Sequence, residues 1–181
     1  AGTQPMRDAL ARYIPVSAQD SVAAGKQQWL GEIRQCSVVF VNFSGIDYGK
    51  PGAVMRVQKA MLIMQGDIQQ CGGMLRQFLV EDKGSTLIAA FGLPKCTHED
   101  DSWRAVMTAM TIGRHLTAAH LPSKIGVTTG EAFCGNVGSH KRCEYALYGD
   151  VVNTAARFMG NKANEGILVC EITMRSCRDR I

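Results

Sequence analysis

The stretch from Ile125 to Met159, IGVTTGEAFCGNVGSHKRCEYALYGDVVNTAARFM, constrains the fold of this chain more than any other segment. Glycines at 126, 130, 135 and 138 punctuate apolar and β-branched residues, which predicts two short strands joined near a glycine-rich bend. A third short apolar piece, Tyr145 to Tyr148, follows. Gly149 and Asp150 then open a helix, with Asp150 as the expected N-cap. On that helix Asn153 and Arg157 stand four residues apart, so both side chains leave one face near its start. An amide and a guanidinium at a helix N-terminus suit an anionic ligand, because the free N–H groups and the dipole favour negative charge there. A surface helix that merely carries an Asn and an Arg fits the spacing equally well.

The flanking segments alternate in character. Cys36 to Phe43 is almost wholly apolar and β-branched, the pattern of a strand buried on both faces. After a loop at Gly45 to Gly52, Val54, Val57, Met61, Met64, Ile68 and Cys71 recur at steps of three and four, one stripe of an amphipathic helix. Gly72 and Gly73 end it. Leu75 to Val80 and Thr86 to Phe91 read as a hairpin with its turn at Glu81, Asp82, Lys83 and Gly84. Glu99, Asp100 and Asp101 bias the next helix start, and Trp103, Val106, Met107, Met110 and Leu116 form its stripe. A strand at Ile167 to Cys170 and a helix from Glu171 close the order. Ahead of all this, residues 1–35 form a partly helical lead-in, broken at Pro15, with a second short helix over Gln19 to Arg34. Strand, helix, hairpin, helix, strand is the order of a ferredoxin-like βαββαβ sandwich, an α+β fold in the α/β class.

Gross properties narrow the function. With 181 residues and 46% hydrophobic content the chain can bury one ordinary core. A net charge of +4 suits a phosphate-bearing ligand without supplying the basic tract of a nucleic-acid binder. The seven cysteines, at 36, 71, 96, 134, 143, 170 and 177, include no C-x-x-C pair, so neither a zinc site nor a disulfide framework is suggested. No run reaches transmembrane length and no signal peptide is visible, which leads to the expectation of a soluble, cytoplasmic chain. The histidines, 98, 115, 120 and 140, have no ligand spacing among themselves and read as structural or solvent-facing.

Gly126, Gly130, Gly135, Gly138, Arg142, Tyr145, Gly149, Val152, Asn153, Ala155, Ala156 and Arg157 stand as in the class III nucleotidyl cyclase domain. VVFVNFSGID from Val38 and FLVEDKGSTLIAAFG from Phe78 resemble the second catalytic half of soluble, bicarbonate-responsive adenylyl cyclases. The resemblance covers about Arg34 to Cys177 and implies an elaborated ferredoxin-like fold over residues 36–181. It also implies a final hairpin with a triphosphate-binding lysine, to which nothing here can be matched; Lys141 and Lys162 read as solvated.

The activity the resemblance implies is conversion of ATP to cAMP and pyrophosphate at a site shared by two such domains. Arg157 matches the arginine that stabilises the phosphorus transition state, and Asn153 the asparagine that positions the ribose. The two metal-carboxylate positions are Asn42 and Ser85, so Mg²⁺ or Mn²⁺ is expected to be held mainly by a partner half. Asp82 and Asp47 lie near those positions but out of register. In the base pocket, the lysine position falls near Gln77, with Arg76 beside it and an apparent insertion nearby. The second base position is Ala146, and Leu147 offers its backbone. The expected partners are ATP and a second cyclase homology domain, in tandem or on a separate chain, with a homodimer open to the isolated chain. A regulatory or dimerisation module that has lost its catalytic groups is the alternative. A nucleic-acid-binding ferredoxin-like domain is disfavoured, because Phe40 and Phe43 lie in a strand too apolar to be an exposed stacking platform.

Overall fold

The computed structural model describes residues 4–11, 31–81, 84–139 and 142–180. After a short helix α1 (Gln4–Ala11), strand β1 runs from Glu32 to Phe43. The helix expected over Gln19 to Arg34 lies largely outside the described residues. Its final residues are strand instead, because Glu32 and Arg34 continue the ladder against Cys134 and Ala132. Alternate side chains of β1 enter two different cores, as the apolar run requires: Val39, Val41 and Phe43 on one face, Cys36, Val38 and Phe40 on the other.

The remaining elements are α2 (Ala53–Gln70), β2 (Met74–Glu81), β3 (Gly84–Phe91), α3 (Asp101–Ala118), β4 (Ser123–Ser139), β5 (Arg142–Tyr148), α4 (Asp150–Gly160), β6 (Ile167–Val169) and α5 (Glu171–Cys177). A 3₁₀ turn over Arg178–Arg180 follows. The sheet order is β2-β3-β1-β4-β5, antiparallel throughout, with β6 pairing parallel to β4. This is the ferredoxin-like arrangement extended by β5 and α4. Helices α2 and α3 cover one face, with Met64, Ile68, Val106, Ala109 and Ile112 meeting Val41, Leu87 and Phe91. Helix α4 covers the other.

Several expectations need correction. The segment read as two strands around a glycine bend is one 17-residue strand, β4. Its glycines are not a turn. Gly126 and Gly135 are clearances: a Cβ on Gly126 would overlap the Ala155 carbonyl and stand 2.6 Å from the Met159 nitrogen, and one on Gly135 would stand 2.6 Å from the Gly31 Cα. On α2 the buried line is Ala53, Ala60, Met64, Asp67 and Ile68, while Val54 is 78% exposed. On α3 Ala105, Ala109 and Ile112 are buried in place of Met110, which is half exposed. Small residues let the helices approach the sheet closely, and that takes precedence over the size of the apolar side chains. Gly149, not Asp150, is the N-cap of α4, and Asp150 is the first helical residue. The last strand ends at Val169, since Cys170 turns away to cap α5 by accepting from the Thr173 amide. No helix among the described residues is long and apolar enough to cross a membrane.

Candidate functional site

Helix α4 is fixed to the sheet by its apolar side. Val151 and Ala155 are buried in the second core, and the Thr128 hydroxyl donates to the Val151 carbonyl at 2.7 Å. Its C-terminal end is clipped by the buried Asn164, whose amide donates to the carbonyls of Ile125 and Phe158, both at 3.0 Å. On the opposite side Asn153 and Arg157 are exposed, and among the described residues neither side chain has a partner. They share a face, as the spacing required. Arg157, however, lies in the last turn, so its charge complements the C-terminal end of the helix dipole and adds nothing at the N-terminus.

The residues expected at the metal positions are uncharged and internally bonded. Asn42 donates from Nδ2 to the Thr86 hydroxyl at 3.2 Å. The buried Ser85 shares a hydrogen bond with the Tyr48 hydroxyl. Asn42 faces Thr86 and Ser85 faces Phe43, adjacent rungs of one ladder, so the two side chains start from opposite faces of the sheet. Gly84 takes a φ of +117° just before Ser85, where a Cβ would stand 2.6 Å from the Phe43 carbonyl oxygen. An amide and a hydroxyl without a carboxylate do not fit a Mg²⁺ ion, which seeks charged oxygen ligands.

The residues expected at the base pocket come from opposite edges of the sheet. Gln77 on β2 is exposed and has no hydrogen-bond partner among the described residues, whereas Ala146 on β5 is buried and Leu147 half-buried. The apparent insertion is a β-bulge: Leu75 pairs with Ala89 and Gln77 with Ile88, leaving Arg76 as the extra residue. Arg76 is half-buried and crosses the second core. Its guanidinium lies 5.2 Å from the centre of the Tyr145 ring, and Nη2 donates to the Tyr145 carbonyl. Its Nε is buried without a partner. Burial lowers the Arg76 pKa and raises that of Tyr145.

Residues 33–180 match the model of the adenylate and guanylate cyclase catalytic domain. The chain belongs to that family. Human adenylate cyclase type 10 is 32% identical over 148 residues, covering 80% of this chain and 9% of the relative. An uncharacterized protein of Mycobacterium tuberculosis is 30% identical over 161 residues, covering 84% of this chain and 27% of the relative. The cyclase domain thus spans less than a third of the curated relatives it matches. In fold it resembles the adenylyl cyclase CyaB of P. aeruginosa, with a TM-score of 0.75 at 21% identity over 84% of this chain and 85% of that one. It also resembles the guanylate cyclase domain of RhGC from Catenaria anguillulae, with a TM-score of 0.67 at 21% identity over 81% and 84%.

Two histidines of the cyclase domain are tied to carboxylates. His98 pairs with Asp101 at 3.3 Å at the start of α3, and His115 pairs with the buried Asp67 at 2.8 Å, joining α3 to α2. His140 and Lys141 lie outside the described residues; Lys162 is exposed. Cys36 and Cys134 bring their sulfurs within 3.7 Å in the second core. The hydrogen bond between them lowers the Cys134 pKa and raises that of Cys36. The sequence did not point to Tyr48 as the partner of Ser85, nor to Arg76 as a link between β2 and β5. The insertion next to Gln77 was the only signal of the latter.

Proposed function

We propose that this domain is one catalytic half of an adenylyl cyclase, working with a second, metal-bearing cyclase domain. In the reaction the ribose 3′-oxygen of ATP forms a bond to the α-phosphorus. The bond from that phosphorus to the bridging oxygen breaks, pyrophosphate leaves, and the 3′-hydroxyl proton passes to solvent or a base of the assembled site. Charge accumulates on the phosphoryl oxygens during the transfer. Arg157, permanently charged and planar, offers two donors to those oxygens, and Asn153 holds the ribose so that its hydroxyl is in line. The observation that carries this reading is the pairing of an exposed, unpartnered Asn153 and Arg157 on one face of α4 with uncharged groups at Asn42 and Ser85. Such a domain has the transition-state half of a site and lacks the metal half. Adenine as the base rests on the 32% identity to adenylate cyclase type 10.

The regulatory reading, a domain that only pairs with an active cyclase, is favoured by Ala146, whose methyl group cannot hydrogen-bond to a base. Cyclic-nucleotide synthesis separates the two. The chain alone, and the chain mixed with a metal-bearing cyclase half of the same protein, are supplied with ATP or GTP and with Mg²⁺ or Mn²⁺. Silence alone, with cAMP from the mixture that disappears on Arg157→Ala, is the expected result. A mixture whose output is indifferent to Arg157→Ala supports the regulatory reading.

A further inference from the structure

We propose that the outward face of α2 is a docking seam for a partner helix, one that is apolar along its contact line and carries carboxylates along one border. Helices α2 and α4 cover opposite faces of the sheet. An occupant here therefore leaves Asn153 and Arg157 uncovered, whether or not the domain is catalytic.

Met55, Lys59, Leu62, Gly66 and Gln69 follow one another at steps of four and three along α2. That spacing draws a single line down a helix, the kind of line along which a second helix packs. Met55 on it is 72% exposed and Leu62 59%, with Val54 exposed beside them. All three point away from the buried line of Ala53, Ala60, Met64 and Ile68 that seats α2 on the sheet. Gly66 lies on the same outward line. A glycine inside a helix weakens it relative to alanine, and close packing is the usual compensation. Gly126 has that reason inside the domain, against α4. Gly66 has none there, since a Cβ on it would meet nothing within 4 Å. It leaves a notch one turn from Leu62, where the backbone of a second helix can come close.

Charge fixes the kind of helix. Arg56 and Lys59 lie to one side of Met55 and Leu62, and Gln58 and Gln65 to the other. Among the described residues neither cation is paired with a carboxylate; Arg56 donates to the Gly45 carbonyl at 3.2 Å. The one carboxylate of α2, Asp67, is buried against His115. A partner helix with carboxylates along the matching border answers both cations and can lie in only one orientation. An anionic bilayer is charged evenly and would draw cations on both sides of the apolar line. The one-sided placement fits a partner that has a border of its own.

The test places the photoreactive residue benzoylphenylalanine at Leu62 in the protein as its cell makes it, with the same residue at the exposed Ile172 of α5 as the control. The adducts formed on irradiation are sequenced. The expected adduct comes from Leu62 and not from Ile172. It falls on a helix with apolar residues at steps of three and four and carboxylates along one border. Arg56→Glu combined with Lys59→Glu should cut its yield by on the order of tenfold, and changing the facing carboxylates to lysine should restore it. Gly66→Met should raise the melting temperature of the domain, because a good helix former replaces glycine, yet lower the yield by filling the notch. A face that serves only to hold α2 together would not separate those two readouts. Adducts on lipid, on a second copy of this chain, or on a segment that is basic or lacks the helical pattern would overturn the assignment. So would a yield at Leu62 no greater than at Ile172, or one that neither the charge reversal nor Gly66→Met moves.

Discussion

Gly126 of β4 lies directly against the Ala155 carbonyl of α4, with no room between them for a side chain. The helix that carries Asn153 and Arg157 is therefore seated at a height set by a missing methyl group. Gly126→Ala should lift α4 and cost about 1–3 kcal/mol, the usual range for overpacking a tight contact. Urea denaturation should show a lower midpoint at unchanged slope. The assembled cyclase should lose activity beyond what its residual folding explains, and a variant of parental stability would show that the helix can yield.

Arg157→Ala should reduce kcat by on the order of 10²–10³ while KM for ATP moves only a few-fold, the pattern of a group bonded mainly in the transition state. Arg157→Lys should recover little, because an ammonium does not reproduce the planar pair of donors. Arg157 is exposed and unpartnered among the described residues, so urea midpoints should match the parent. Equal losses in kcat and stability would refute a direct role.

Asp100 joins α3 to the C-terminal turn through Arg104 at 2.6 Å and Arg180 at 2.8 Å. The hydrogen bond from Arg104, reinforced by Arg180, holds its carboxyl below the usual carboxylate range. A pKa depressed by folding contributes stability that is present above the unfolded value, near 3.9, and is lost as pH falls through the folded one. The parent should therefore exceed Asp100→Asn by less than about 1 kcal/mol at pH 7, given partial exposure. The gap should begin to narrow below about pH 4 and close only below the depressed folded value. Urea titrations at pH 7, 5 and 3 check this, and a gap undiminished at pH 3 would assign the difference to packing.

Cys170 should be the first of the Cys36, Cys170 and Cys177 thiols to react with iodoacetamide. Burial alone would raise its pKa, but hydrogen bonds from the Thr173 hydroxyl and amide and the Thr129 amide outweigh it and lower the pKa. Cys177 is fully buried and shifted upward by that burial, and Cys36 is raised by its bond to Cys134. Peptide mapping after brief alkylation near neutral pH measures the order. Thr173→Val should slow Cys170 specifically.

Much of the frame was legible because it depends on local pattern. The apolar run of β1 marks a strand buried on both faces, the hairpin of β2 and β3 is framed by its turn residues, and the Asn153–Arg157 spacing follows from the helical period of 3.6. Errors arose where tertiary contact overrode pattern. The glycines of β4 looked like a bend because a glycine's use as clearance under a helix leaves no trace in its neighbours. Val54 and Met110 looked like core because apolar size was visible and the close approach permitted by Ala60 and Ala109 was not. The family resemblance singled out Asn42 and Ser85. Their bonds to Thr86 and Tyr48, and the reach of Arg76 to Tyr145, join segments far apart in sequence and were beyond any window of it.

The bulge in β2 gives the hairpin a property that side-chain chemistry alone would not. Upstream of it Leu75 keeps its place opposite Ala89, and downstream Phe78 keeps its stack on Phe43 at 6.3 Å. The extra residue is absorbed locally, so one residue can be gained or lost here while both flanks stay in the core. Removing either Arg76 or Gln77 by deletion would leave a regular ladder with a single residue facing the second core at that rung. Which side chain the hairpin presents on that face can then change through the length of the chain, in one step, with no intermediate sequence that must refold.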